Sequence, residues 1–396
     1  MKSICEYKLI QQTPMIHFQS REAGACLRAS EVKSKLDKFI HQNVSNIPNN
    51  WFVNKEQSSA LNYKIKILTD ERVRGEEPDR NLYFGNMGKG PRKETVMYRK
   101  PISLKVVCFN PALMAAINEH LEAFFLLHNF GTRQNKGFGS FVLENTLRSR
   151  TADLLLAKYV KSSCNIYKVS YDSITDCPTI FKDIALFSGV LKSGYNQETY
   201  IKSFLVQHCL DKDKHGGKSI GGDKRWLKSP KTKLAPVVKK KATKLPQNVE
   251  VDLYRYNRAL LGSAGNLAFI NRLDDNDRPD RNAGKTNIRI AGKDKVKRIP
   301  SPVLYKVVGT TLYMIVRDHS DAVYGKRFQF SIKTRDNQRL TTQLQVPEKG
   351  EVDIQTVFAD YVAEVNKVGS EYYTKLERKL QFLRQRKTIV QLGGEK

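Results

Sequence analysis

The chain is short of acid. Its 396 residues hold 40 Asp and Glu against 68 Lys and Arg, a formal net charge of +28. It is also short of metal-site spacing. The six cysteines (Cys5, Cys26, Cys108, Cys164, Cys177 and Cys209) are scattered, and none forms a C-x-x-C pair, so no zinc site is expected. Most sit beside apolar residues, as in Val107-Cys108-Phe109, and read as small core hydrophobes. The stretch Met1 to Glu6 has no apolar signal core, and the apolar run Ala123 to Leu127 is too short for a bilayer. No membrane partner and a reducing cytoplasm are the expectation. A nucleotide cofactor is not expected either. Gly217-Lys218-Ser219 has the ending of a P-loop, but Lys212 stands where its first glycine belongs. The acidic run Asp274-Asp275-Asn276-Asp277 is irregular and flanked by Arg272 and Arg278. It reads as a solvated turn rather than a Mg²⁺ site, so no metal is expected.

What is present in excess is positive charge. Self-repulsion of this size disfavours the compact state unless a polyanion offsets it, and a basic surface is the footprint of phosphate binding. Nucleic acid is therefore the expected partner.

The hydrophobic pattern gives an α+β order. Glu6 to Gln19 reads as a strand interrupted at Thr13-Pro14. Val32, Leu36, Phe39 and Ile40 recur at helical spacing through Glu31 to His41. Tyr63, Ile65 and Ile67 alternate with Lys64 and Lys66 as a strand. Val96 to Phe109 reads as a second long strand. Pro111 opens a helix whose stripe is Leu113, Ile117, Leu121 and Phe124. Phe138 to Leu143 makes the next strand. The order β-α-β-β-α-loop-β is that of the split βαβ, or ferredoxin-like, arrangement.

Between that last helix and strand lies Gly131-Thr132-Arg133-Gln134-Asn135-Lys136-Gly137-Phe138-Gly139-Ser140. Glycines tolerate positive φ and close approach, and amides with interleaved cations make a cradle for phosphate. A helix-capping role accounts for one glycine more readily than for three. Gly131, Gly137 and Gly139 are the candidate backbone contacts, Arg133 and Lys136 the phosphate partners, and Phe138 the interleaved aromatic.

This loop resembles the glycine-rich loop of the RAMP superfamily, the repeat-associated proteins of CRISPR systems. Thr13-Pro14-Met15-Ile16-His17 resembles the Thr-Pro turn in the first strand of type III-B (Cmr) RAMP subunits. Leu27-Arg28-Ala29-Ser30-Glu31-Val32-Lys33 resembles the Arg-x-Ser-x-x-Lys start of their first helix, and Ile299-Pro300-Ser301-Pro302-Val303-Leu304 the Ser-Pro-Leu start of a strand in their second halves. Among Cmr families the two-domain length is most similar to that of subunit one, which the resemblance places near the 3′ end of the guide RNA. It implies two ferredoxin-like domains, 1–150 and 151–396. It implies a non-catalytic role in antiviral defence, with CRISPR guide RNA, and possibly target RNA, as partners beside the other type III effector subunits. Arg28, Ser30 and Lys33 are then expected to face the groove that the loop lines.

The second half reads as strand Cys164 to Tyr171, helices Ile180 to Leu191 and Tyr200 to Leu210, a hairpin Val303 to Val308 and Leu312 to Val316, strand Phe328 to Ile332, and helices Ile354 to Val365 and Tyr372 to Arg386. Within it, Lys212 to Lys244 carries twelve Lys or Arg against two Asp, a large basic insertion extending to about residue 250. There Trp226 stands among Lys224, Arg225 and Lys228 as a stacking face beside cations. Tyr254, Tyr256, Arg255 and Arg258 repeat the mixture. No second glycine-rich loop of full form is found.

Some RAMP relatives are metal-independent endoribonucleases with a histidine general base, which makes processing of CRISPR precursor RNA the alternative function. His17 and His41 flank the first helix and are its candidates. His120 and His128 lie near a buried helical seam and suit core or helix-end roles. The glycine-rich loop of those enzymes is usually near the C-terminus, whereas here it is central.

Overall fold

The computed structural model describes residues 3–16, 27–54, 56, 58–69, 73–74, 95–98, 100–149, 151–159, 164–196, 199–235, 249–270, 285–292, 298–334 and 337–393. His17, the acidic run Asp274 to Asp277 and residues 236–248 lie outside them. The chain divides into two compact units. The first is Met1–Ala185 with Val303–Val316 and Leu376–Lys396; the second is Leu186–Pro302 with Arg317–Lys375.

In the first unit the strands lie in the order Lys64–Leu68, Ile102–Val107, Ile4–Gln11, Phe141–Leu143. All neighbours are antiparallel, with Leu9 opposite both Ile102 and Leu143. By position in the chain this order is second, third, first, fourth, the order that split βαβ units produce. The helix Ala29–Asn43 buries Val32, Leu36, Phe39 and Ile40. Each such side chain contributes about 1.5–3 kcal/mol by leaving water. The helix Pro111–Leu127 starts because Asn110 accepts from Leu113 N–H at 3.0 Å and Pro111 occupies the first turn. The expected long strand Val96 to Phe109 is two, Thr95–Met97 and Ile102–Val107. Pro101 lies between them and has no N–H for a ladder.

A second four-stranded sheet in the same unit runs Val303–Val308, Thr311–Arg317, Cys164–Ser170, Val390–Gln391. Its order by chain position is again second, third, first, fourth. Every residue of Val303–Val308 is buried, Lys306 included. The expected single helix Tyr372 to Arg386 is two short ones, Glu371–Leu376 and Gln381–Arg384. The break has a cause: the buried Asp183 carboxylate accepts from Gln381 N–H (2.9 Å), Phe382 N–H (3.2 Å) and the Tyr171 hydroxyl (3.1 Å). It therefore caps a new helix start.

In the second unit the strands Asn266–Ile270, Lys285–Gly292, Arg327–Lys333 and Arg339–Gln345 form an antiparallel meander. The expected strand Phe328 to Ile332 belongs here, not to the hairpin sheet. The basic segment is more ordered than a loop over its described part. It holds the turn Asp213–His215, the pair Gly221–Gly222 alongside Tyr254–Arg255, and the helix Asp223–Leu227. An internal ion pair anchors that helix. Asp223 and Arg258 are both buried and bonded through the guanidinium Nε and Nη2.

Candidate nucleic-acid interface

The glycine-rich loop is pinned at both ends by its own unit. Phe130 N–H donates to Gly139 O at 2.9 Å, closing the neck. Thr132 N–H donates to Ile16 O at 2.8 Å, and Gly139 N–H to Pro14 O at 2.9 Å. The fully buried Thr13 hydroxyl accepts from Ser140 N–H at 2.9 Å and donates to Gly137 O at 2.6 Å. This is the physical use of the Thr-Pro turn: it is the seat of the loop.

These bonds alter the reading of the glycines. A Cβ on Gly139 would lie 1.9 Å from Phe130 O, and one on Gly131 would lie 2.7 Å from Ile16 O. One on Gly137 would stand 3.0 Å from Ile184 Cδ1. All three have positive φ, between 69° and 88°. The close approaches are thus made by the protein to itself. The amides of Gly131, Thr132, Lys136, Gly137, Gly139 and Ser140 all donate within the unit, so they do not form the phosphate cradle expected of them. Phe138 is likewise internal. It is 2% exposed and stacks on Phe181 at 4.3 Å and 14°, which leaves its ring no face for a base.

The first helix does meet the loop, through residues that were not singled out in the sequence. Glu31 accepts from Gly131 N–H at 3.2 Å. Lys35 donates to Glu31 (2.7 Å), to Asn129 O (2.8 Å) and to Gln134 Oε1 (2.6 Å), with its ammonium 4.7 Å from the Phe130 ring. Burial pushes its pKa down, opposed by Glu31. The signal available was an acid and a base four residues apart on a basic helix. Lys33 turns the other way: it pairs with Asp37 at 2.8 Å, donates to Leu61 O and lies over Tyr63, so it does not face the loop. Arg28 and Ser30 are exposed at the helix start.

Two cations remain at the loop's turn. Arg133 is held at φ +62°, a left-handed backbone that costs a non-glycine residue stability. Lys136 keeps an exposed side chain whose ammonium lies 5.6 Å from the Tyr305 ring. Its pKa is pushed down to about 8, first by its densely packed, low-dielectric surround and then by repulsion from Arg133. Burial also works against the Arg133 charge, but a guanidinium stays protonated at neutral pH. An anion placed between the two groups relieves their repulsion.

The hairpin strand Val303–Val308 braces the loop from below. The Lys306 ammonium donates to His128 O at 3.0 Å and to Phe141 O at 2.9 Å, the residues that bound the loop on either side. Asn129 Nδ2 donates to Tyr305 O at 2.8 Å, and Ser140 Oγ to Val307 O at 2.6 Å. The sequence held one clue to this brace, a lone lysine inside an apolar strand.

The basic cluster of the second half lies in the other unit. Arg225 is exposed, Trp226 is half-buried, and Lys228 sits 5.2 Å from the Phe269 ring. Lys224 is pushed down to about 8, mainly by burial and then by Arg258. Among the histidines, His41 Nε2 is 2.8 Å from Ser59 O, His120 contacts Tyr159, and His128 Nδ1 is bonded to Phe124 O. Among the described residues no group of three or more His, Cys, Asp or Glu is placed to hold a metal ion. No helix of the described residues is long and apolar enough to cross a membrane.

Comparison with known proteins gives two consecutive family matches. The Cmr1 N-terminal domain matches residues 2–195 and the Cmr1 C-terminal domain residues 200–382. No curated protein sequence matches the chain. A solved structure, the apo form of Cmr1 from Pyrococcus furiosus, is similar over 98% of this chain and 98% of that chain, at 10% identity and a TM-score of 0.42.

Proposed function

Since the chain belongs to the Cmr1 family of type III-B CRISPR effector subunits, we propose that it binds guide RNA as a non-catalytic subunit. It positions the RNA beside the other effector subunits and serves antiviral defence from the cytoplasm. The observation that carries this reading is the Arg133–Lys136 pair. Two mutually repelling cations stand on a loop whose backbone is tied down at its neck, its seat and its helix. Such a loop has little freedom left to lose on binding.

The mechanism is positional. Arg133 and Lys136 neutralise phosphates, and Arg28 and Ser30 extend the polar surface at the first helix start. The glycines, Phe138, Lys33, Glu31 and Lys35 shape and hold this surface instead of touching RNA. The five described cysteines are all free, which suits a reducing compartment.

The test is the double variant Arg133→Ala with Lys136→Ala, titrated with single-stranded guide-length RNA across a salt series. Loss of two phosphate contacts should lower the slope of log affinity against log salt by about 1.4 and weaken binding irrespective of RNA sequence. Unchanged affinity together with an unchanged salt slope refutes the assignment.

A further inference from the structure

A cavity of about 340 Å³ opens on the second unit, lined among others by Trp226, Tyr254, Arg255, Arg327, Gln343 and Gln345. Its construction is uneven. One wall is aromatic: Trp226 and Tyr254 lie with ring centroids 5.3 Å apart at 33°. The other walls mix Val251 and Leu344 with the amides Gln343 and Gln345, the guanidinium groups of Arg255 and Arg327, and the carboxylate of Asp252. This mixture of apolar faces with a few polar groups is what small-ligand sites share, and the volume suits a single small group.

Two of the lining groups are fixed by the protein. Trp226 Nε1–H donates to Thr342 Oγ1 at 3.4 Å, which orients the indole. Arg255 is buried and bound through Nε and Nη2 to both Glu351 oxygens, at 2.9 and 2.8 Å. Its charge is thereby met inside the fold. Arg327 is different, being exposed at the rim. Arg225, also exposed, precedes the tryptophan in the chain. The Tyr254 hydroxyl is buried and has no hydrogen-bond partner among the described residues. The Tyr254 ring sits directly on the Gly221 backbone, where a Cβ would lie 2.4 Å from its Cε1.

We propose that this cavity takes one unpaired nucleobase of a bound RNA strand. The base stacks on the Trp226 face, and Arg327 meets the adjoining phosphate. The inference rests on the RNA-binding reading above and adds to it a base site in the other unit. The aromatic shelf selects the occupant. Stacking accepts any base face; Arg255 is met by Glu351 and Asp252 adds a carboxylate to the lining, so Arg327 at the rim is the lining cation placed to meet an adjoining phosphate.

The chain has two tryptophans, and Trp51 is buried in the first unit, so Trp51→Phe leaves Trp226 as the reporter in the full-length chain. Its emission is followed during titration with decauridylate, decaadenylate and an abasic ribose-phosphate decamer, while filter binding measures total RNA retention. The base-bearing decamers should quench Trp226 and the abasic strand should not. Trp226→Ala should weaken decamer binding by about 5- to 150-fold, and Arg327→Ala should shift the midpoint several-fold without changing the quench at saturation. If Trp51→Phe does not fold, the unmodified chain is compared with Trp226→Phe. RNA retained with no change in Trp226 emission overturns the base site and leaves the RNA-binding reading standing. Equal quenching by the abasic strand overturns it also. No retention of any RNA overturns both.

Discussion

Gly139→Ala should cripple the loop, and the structure says by how much. The backbone at Gly139 has φ +69°, which costs an alanine about 1–2 kcal/mol. Its new Cβ would lie 1.9 Å from Phe130 O and 2.9 Å from the carbonyl carbon. Relieving that contact needs about 1.5 Å of backbone movement to reach ordinary separation. Phe130 cannot yield freely. Its N–H makes the neck bond to Gly139 O, and its fully buried ring is packed against Phe124, Phe125 and Phe141. Losing the neck bond costs about 0.5–1.5 kcal/mol, and forcing the ring cluster apart about 1–3 kcal/mol.

The sum is about 4 kcal/mol, a fall of roughly 10 °C in the unfolding midpoint for a unit of this size. Gly309→Ala is the matched control. It sits at φ +58° with nothing within 4 Å of its Cβ, so it bears the backbone cost alone and should lose roughly 4 °C. Thermal unfolding followed by circular dichroism compares the two. Equal losses would show that Gly139 serves only its dihedral angle, which would refute the claim that the loop neck is set by backbone contact.

Two further substitutions test buried charges. Lys306→Met should destabilise by about 2 kcal/mol, because the buried Phe141 carbonyl and the half-buried His128 carbonyl lose their donor. Burial holds the Lys306 pKa well below its ordinary value, so below that value the unfolded chain binds more protons, and stability rises with pH. The deficit of Lys306→Met should therefore widen from pH 7 to pH 10, and a constant deficit across that range refutes a desolvated ammonium. Asp183 has the opposite sign. Burial raises its carboxyl pKa from 3.8 to about 6 against the pull of its three donors, so the folded state binds the extra proton, and this contribution is lost as pH rises from about 4 through 6. The stability of the parent relative to Asp183→Asn, which lacks the titrating carboxyl, should therefore fall by up to about 3 kcal/mol between pH 4 and pH 7. Parallel midpoint curves for the two proteins between pH 4 and 7 would count against it.

The fold of the first half was legible because its signals are local. Asn110-Pro111 starts a helix, Tyr63-Ile65-Ile67 alternates, and the Val32 to Ile40 stripe repeats at helical spacing. These patterns mark elements within a few residues, and the β-α-β-β-α-β sequence of elements, matched to the split βαβ arrangement, supplies the strand order that periodicity alone does not. The second sheet was not legible in the same way. Cys164–Ser170 pairs with Val390–Gln391 across more than two hundred residues, and no periodicity of a strand names its partner. The meander of the second unit hid for a related reason. Its strand Lys285–Gly292 follows a charged stretch, and Phe328 to Ile332 reads equally well beside the hairpin until the register Ile290 opposite Phe330 is known. Asp183 split the last helix from about two hundred residues away, which no capping pattern near Gln381 announces.

The site shows a different limit. The three glycines marked a loop of close backbone approach, and the approaches are made by the protein itself. Glycine is required wherever backbone comes close, and the sequence cannot say whether the visitor is a ligand or the protein itself. Here Ile16, Phe130 and Ile184 are the visitors. The consequence for recognition is specific. Under the proposed function, a loop whose amides are already engaged meets RNA with its side chains, so affinity should depend on Arg133 and Lys136 far more than on main-chain contacts. Sequence preference from this loop should then be slight, because phosphate contacts carry none. A stacking shelf accepts any base face, so the proposed site at Trp226 should separate base-bearing from abasic strands and add little preference among bases.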